Sequence, residues 1–174
     1  LLTSDGPRYA ETSLGENVNT DTQIDHWMHS IASLRSAIRS GTVRELAEKS
    51  SLSSPRSVER LRRHDSLTIS DKGRSTLTSV DTSGRTLRYN SPVSRQDPLV
   101  NDWRNRVASL HTPPGHQEKL LILLPCSATK PYRLSQSHHR FLRNIPSNRA
   151  HQIMVTSPLG LVPRELEDLW PAAH

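Results

Sequence analysis

Cysteine is nearly missing from this 174-residue chain. A single one, Cys126, excludes an internal disulfide and a multi-cysteine zinc site, and it makes a reducing, cytoplasmic setting the expectation. Aromatic residues are 4% and hydrophobic residues 33% of the chain. That is thin for one well-packed globule of this length, so two modest cores with a loose connection are expected. No apolar run approaches the roughly 20 residues of a membrane span, and no basic-then-apolar leader opens the chain. No membrane association is expected. Glycine-rich phosphate loops of the dinucleotide or P-loop type are missing as well. No histidine pair at metal-ligand spacing has a credible third partner, so neither a metal nor another cofactor is expected. There is no initiator Met and no polar tail, so the chain reads as an internal fragment of a larger protein.

What is present begins with charge. The formal net charge is +6 with histidine neutral. Residues 1–66 hold nine Lys/Arg against nine Asp/Glu, and residues 67–174 hold 14 against eight, so the whole excess lies in the second part. This favours an anionic partner such as nucleic acid; the alternative is that a high isoelectric point merely reflects composition.

Residues 1–20 have no periodicity and read as an irregular lead-in. Ile24, Trp27, Met28, Ile31, Leu34 and Ile38 then share one helical face, with Asp21 or Thr22 as cap and Gly41 as stop. His26 and His29 flank this stripe and read as boundary or surface histidines. Thr42-Val-Arg-Glu45 spells a capping box for a second short helix to about Lys49. Ser54-Pro55 starts a third, with Val58 and Leu61 on its apolar side. Its Arg56, Arg60, Arg62 and Arg63 are either a phosphate-facing surface or an ordinary solvated one. Residues 66–92 are rich in Ser, Thr, Asp and Gly and read as a linker with a weak hairpin, Leu77–Val80 and Thr86–Tyr89 around a turn at Asp81–Gly84. The expected organisation is therefore 1–65 helical, 66–92 linker and 93–174 α/β.

Asp97-Pro98 opens another helix, which Pro113-Pro114-Gly115 stops. Leu120–Leu124 is an unbroken apolar run, expected to be a strand buried on both faces and ended by Pro125. Ile153-Met-Val155 is expected to be a second strand. Thr156–Gly160 reads as a turn, and Pro163–Trp170 as a helix with two acids near its start. Strand, loop, helix, strand, loop, helix is the pattern of a parallel α/β layer, whose remaining strands would lie outside this chain.

Ligands in open α/β sheets sit beyond the carboxyl ends of the strands. There the sequence puts Cys126, Lys130, Tyr132, Ser135 and His138. A thiolate is the reactive form of cysteine, and nearby cations favour it. Lys130 and His138 are candidates for that field, and His138 can also move protons near neutral pH. The set fits an activated nucleophile with an acid/base partner; a small buried cysteine acting only as filler is the competing reading.

The order Pro125-Cys126, three residues, Lys130-Pro131-Tyr132, two residues, Ser135, two residues, His138 resembles the signature of the archaeosine synthases. These are archaeal tRNA-modifying relatives of tRNA-guanine transglycosylase. Residues 34–48, Ser54-Pro55 and Leu61–Asp65 are similar to the helical end of that family's transglycosylase-like domain, and Thr156–Glu167 resembles its second synthase loop. The resemblance implies a truncated, uracil-DNA glycosylase-like partial parallel sheet with flanking helices. It implies an amidine-forming transferase acting on tRNA that carries 7-cyano-7-deazaguanine in its D-loop, on the way to archaeosine. Lysine or another amine is the donor, and a radical enzyme is a further partner. Cys126 is expected to attack the nitrile to give a thioimidate, His138 to protonate its nitrogen, and an amine to displace the sulfur. Lys130 would favour the thiolate or bind substrate; direct amine attack, with Cys126 only packing, is the alternative. Tyr132, Ser135, Thr156, Ser157, Arg164 and Glu165 would bind substrate; Glu165 or Glu167 either holds a lysine ammonium or is an ordinary helix-start acid. The family's barrel and RNA-binding domain are missing from the chain, so the fragment alone is expected to be inactive. A catalytically silent tRNA-binding or scaffolding module is the other reading. A base-exchanging transglycosylase is weaker, because no paired catalytic aspartates are visible.

Overall fold

The computed structural model describes residues 20–68, 77, 87–117, 119–145 and 149–173. Three helices lead: α1 (Thr20–Ser40), α2 (Val43–Ser51) and α3 (Pro55–Thr68). Gly41 takes φ 66° at the end of α1, a conformation cheap only for glycine. Thr42 N–H then donates to the Ala37 carbonyl at 2.8 Å, and Gly41 N–H to that of Ile38 at 3.2 Å, the double closure that satisfies a helix's last carbonyls. The expected capping box on α2 does not form. Thr42 makes no side-chain cap bond, because its hydroxyl pairs with that of Ser40 at 2.8 Å. Ser54 does cap α3, accepting from Ser57 N–H at 3.2 Å. The apolar stripe of α1 is only partly covered: Ile24, Trp27, Met28 and Ile38 are exposed, Ile31 and Leu34 are half-buried, and within the helix Ala37 is buried. The expected hairpin lies almost wholly outside the described residues; 87–90 are not strand.

A buried ionic cluster joins α2 and α3 to the segment that follows. Arg44 lies 2.9 Å from Glu48, 2.5 Å from Asp65 and 3.5 Å from Asp97. Glu48 also accepts from the Ser94 hydroxyl and, at 3.2 Å, from that of Ser91. Ser91 and Ser94 cap the short 3-10 helix Pro92–Gln96 reciprocally. Ala47, Leu61 and Val93 form the small apolar cluster beside it.

Asp97 then caps α4 (Pro98–Leu110), accepting from Leu99 N–H at 2.9 Å. The sheet follows: β1 (Leu121–Pro125), β2 (His151–Thr156) and β3 (Gly160–Pro163), in the order β1-β2-β3. β1 and β2 run parallel, Leu123 opposite Ile153 and Pro125 opposite Val155. β3 is antiparallel to β2, with Val155 opposite Leu161. The layer is therefore mixed, and β3 is a strand that sequence reading missed. Two further expectations are corrected. β1 is not buried on both faces: it pairs on one side only among the described strands, and Leu121 and Leu123 are 55% and 58% exposed. The helix expected over Pro163–Trp170 is only a 3-10 turn, Arg164–Leu166, because Pro163 closes β3 instead of opening a helix and Glu167 turns inward to Arg164.

Two side chains of α4 hold the β2–β3 hairpin. Trp103 Nε1–H donates to the Leu161 carbonyl at 3.0 Å, and Arg104 donates to the Pro158 carbonyl. Gly160, at φ 83°, makes the tight turn. The main core gathers Val100, Trp103, Leu124, Tyr132, Met154, Leu159, Val162 and Ala172. Between β1 and β2 runs α5 (Gln136–Asn144). No helix among the described residues is long and apolar enough to cross a membrane.

Candidate active site

The chain leaves the sheet at Pro125 and runs Cys126–Pro131 as an irregular loop before a 3-10 turn, Tyr132–Leu134. Cys126 is exposed and free. Its setting is fixed by what lies beneath it. His138 is fully buried, and its Nε2 lies 3.0 Å from the carbonyl oxygen of Pro125, the residue before the thiol. Its Nδ1 lies 2.9 Å from Arg164 Nη2. Arg164 is always a donor and a carbonyl always an acceptor. The ring is therefore the neutral tautomer, accepting at Nδ1 and donating from Nε2. Burial, and next the Arg164 charge, push its pKa below the usual imidazole value, against the Pro125 hydrogen bond and Glu167. The proton donor expected of His138 thus meets a ring with both nitrogens engaged.

Ser135 is the cap of α5, accepting from His138 N–H at 3.2 Å. This places His138 in the helix's first turn, pointing back to the end of β1. Tyr132 is fully buried. Its hydroxyl accepts from Lys130 Nζ at 3.0 Å, and that ammonium also stands 4.8 Å from the ring centre. The structure thus groups Lys130 with Tyr132, and Ser135 with His138, around the Cys126 loop. Thr156 and Ser157 end β2 beside it, Thr156 half-buried and Ser157 exposed.

Arg164 joins the set through its bond to His138 and through Gln152 Oε1, at 3.2 and 3.3 Å. Gln152 went unmarked in the sequence, where a glutamine in a strand carries no signal. Glu167 is buried and occupied: Arg164 lies 3.3 Å away, and Arg133 N–H donates to it at 3.1 Å. Glu165 points elsewhere. Its Oε1 lies 3.1 Å from His151 Nε2 and 3.2 Å from His111 Nε2, at the end of β2 opposite to Cys126. These three could hold a metal ion, although sequence reading named no ligand set. His111 and Glu165 are 40 and 14 residues from His151, spacings that no short motif covers. On the exposed side of α5 stand His139, Arg140 and Arg143, with Arg149 just before β2.

Residues 100–174, which include the whole site, match a family model described as a domain of unknown function, DUF5591. Curated relatives agree with the resemblance read from the Pro125–His138 signature. The chain is 40% identical over 97 residues to archaeosine synthase subunit alpha of Methanosarcina acetivorans, covering 48% of this chain and 15% of that protein. It is 33% identical over 151 residues to the corresponding subunit of Thermoplasma acidophilum, covering 86% and 28%. With the archaeosine synthase of Haloferax volcanii it shares 56% identity over 54 residues, 31% and 9% of the two chains. The chain thus spans less than a third of the length of each of these relatives. No solved structure matches it.

Proposed function

We propose that this chain supplies the nucleophile-bearing loop of an archaeosine synthase-type transferase that adds an amine to the nitrile of 7-cyano-7-deazaguanine in tRNA. The carrying observation is the exposed thiol of Cys126 on a loop whose base is pinned from below, His138 to the Pro125 carbonyl and Arg164 to His138. A cysteine serving only as apolar filler would be buried. The similarity to curated archaeosine synthases supports the substrate class.

The chemistry balances without a redox cofactor. The Cys126 sulfur bonds to the nitrile carbon, and a proton goes to the nitrile nitrogen, giving a thioimidate. The amine of lysine, or of another donor, then attacks that carbon, and the sulfur leaves as thiolate to give an amidine. Lys130, held on Tyr132, is the cation placed to stabilise the developing charge. His138 acts as a positioning residue through Pro125, so the protonating group is Lys130 or solvent. Arg140, Arg143 and Arg149 on the exposed surface suit tRNA phosphates.

The parallel β1–β2 pair, with α5 between its strands, supports the reading of a uracil-DNA glycosylase-like layer, although β3 is antiparallel. A helical segment 1–65, a linker 66–92 and an α/β segment 93–174 remain the proposed organisation, although Val93 packs with Ala47 and Leu61, and Asp97 pairs with Arg44, across that boundary.

The test is a full-length archaeosine synthase carrying this segment in place of its own. Nitrile-bearing tRNA and isotope-labelled lysine are supplied, and nucleosides are read by mass spectrometry. Label is expected in the amidine with the native segment and lost with Cys126→Ser, while a thioimidate adduct on Cys126 accumulates without amine. Full label incorporation by both Cys126→Ser and Cys126→Ala would end the covalent route.

A further inference from the structure

At the end of β2 away from the thiol, three donor atoms meet. His111 follows the last residue of α4, His151 opens β2, and Glu165 lies in the 3-10 turn after β3. His111 Nε2 and His151 Nε2 are 3.2 Å apart, and Glu165 Oε1 is 3.2 Å from the first and 3.1 Å from the second. The imidazole centres are 5.2 Å apart, so the two rings converge on their Nε2 edges. We propose that His111, His151 and Glu165 form a binding site for one Zn2+ ion, with a fourth position open to solvent.

The triangle has the right size. Zinc binds nitrogen at about 2.0–2.1 Å and carboxylate oxygen at a similar length, nearly always tetrahedrally, so two ligand atoms are separated by about 3.3 Å. An ion resting on these three atoms would stand about 1 Å out of their plane, its remaining corner facing away from them.

Hydrogen bonds alone satisfy the triangle poorly. A neutral imidazole has one N–H and one lone pair. If both Nε2 atoms donate to Oε1, two N–H groups confront each other. If one Nε2 accepts from the other, it turns a lone pair on the carboxylate oxygen. One edge is repulsive in either case, whereas a cation accepts all three lone pairs together.

Burial supports the same reading. The His111, His151 and Glu165 side chains are 13%, 7% and 33% exposed. Two ligands are held by packing, and the third borders solvent, which gives an ion its route in. Two imidazoles with one carboxylate select a transition ion over Mg2+ or Ca2+, which prefer all-oxygen shells. The open corner is the feature that separates catalytic zinc centres from closed structural ones. An ion here would also staple the end of α4 to the start of β2.

Calorimetric titration of the whole chain with Zn2+, alongside thermal unfolding, decides. One ion per chain is expected, together with a rise in the unfolding midpoint; Mg2+ should give neither. Glu165→Gln and His111→Gln should each weaken binding by at least about tenfold and remove the midpoint rise. Cys126→Ser and His29→Ala should bind as the native chain does. The folded native chain taking up no Zn2+ would overturn the proposal. So would equal binding by Glu165→Gln, or binding lost with Cys126→Ser instead. Should His111→Gln disturb α4, as read by circular dichroism, the half-exposed Glu165→Gln decides alone.

Discussion

Replacing Asp97 by Asn should make the chain's stability respond differently to pH. Asp97 lies in the cluster where one cation, Arg44, faces three carboxylates, Glu48, Asp65 and Asp97 itself. It is 2% exposed. Burial raises its pKa from 3.8 to about 6; Glu48 and Asp65 add to the rise, while Arg44 and the Leu99 N–H oppose it. The folded-state value is above the unfolded one. The fold therefore holds a proton that the unfolded chain releases between pH 3.8 and about 6. On this group's account stability is complete below pH 3.8 and is lost as pH rises through about 6. The rise from 3.8 to about 6 is worth about 3 kcal/mol in all. Asn keeps a side-chain oxygen for the Leu99 cap but cannot ionise. The free energy of unfolding of Asp97→Asn, measured by urea denaturation, should thus gain about 2.4 kcal/mol on the native chain between pH 4 and pH 7. Taking the difference at each pH cancels the titrating groups that lie away from this cluster. A difference that stays flat over that range, or falls as pH rises, would refute the account of a carboxylate desolvated beyond what Arg44 compensates.

Three further outcomes follow from the site and core. Arg164→Lys should destabilise the chain by about 3 kcal/mol in denaturant titration, because one ammonium cannot serve His138, Gln152 and buried Glu167 together. His138→Gln should flatten the acid side of the stability profile: with its folded pKa lowered, native His138 contributes stability above the unfolded value near 6.5 that is lost as pH falls. Equal acid sensitivity in the two chains would contradict this. Met154→Ala, at a fully buried core position, should cost about 2–5 kcal/mol in the same assay.

How far the sequence could be read depended on how local each signal was. Ser54-Pro55, Gly41 and Asp97-Pro98 each act within four residues, and each ends or starts a helix as read. The apolar runs at Leu120 and Ile153 marked two strands, but burial of β1 depends on its neighbours, which no run encodes. β3 is four residues long, and Pro163 supports a strand end as readily as a helix start. The loop from Pro125 to His138 was legible because its residues lie close in sequence. The spacing suggested proximity of His138 to the strand end. It did not reveal that the ring's two nitrogens would be taken by Pro125 and Arg164, since Arg164 is 26 residues away.

The two ends of β2 keep two chemistries apart. Cys126 follows Pro125, which is opposite Val155, while the His111–His151–Glu165 triangle sits at residue 151. Four residues of strand at about 3.3 Å each separate them by about 13 Å along the sheet. A metal ion in the triangle therefore cannot ligate the thiol or polarise the nitrile carbon of the proposed reaction, because both need direct coordination within about 2.3 Å. What links the two is Arg164–Glu165: one residue reaches His138 beneath the thiol loop, and the next supplies the triangle's carboxylate. Any ordering of Glu165 by an ion would fix the backbone from which Arg164 reaches His138. The two sites are thus separate in chemistry and joined in position. The expected consequence is that Zn2+ raises the protection of the His138 ring proton from exchange, read by NMR, and does so in the native chain but not in Glu165→Gln.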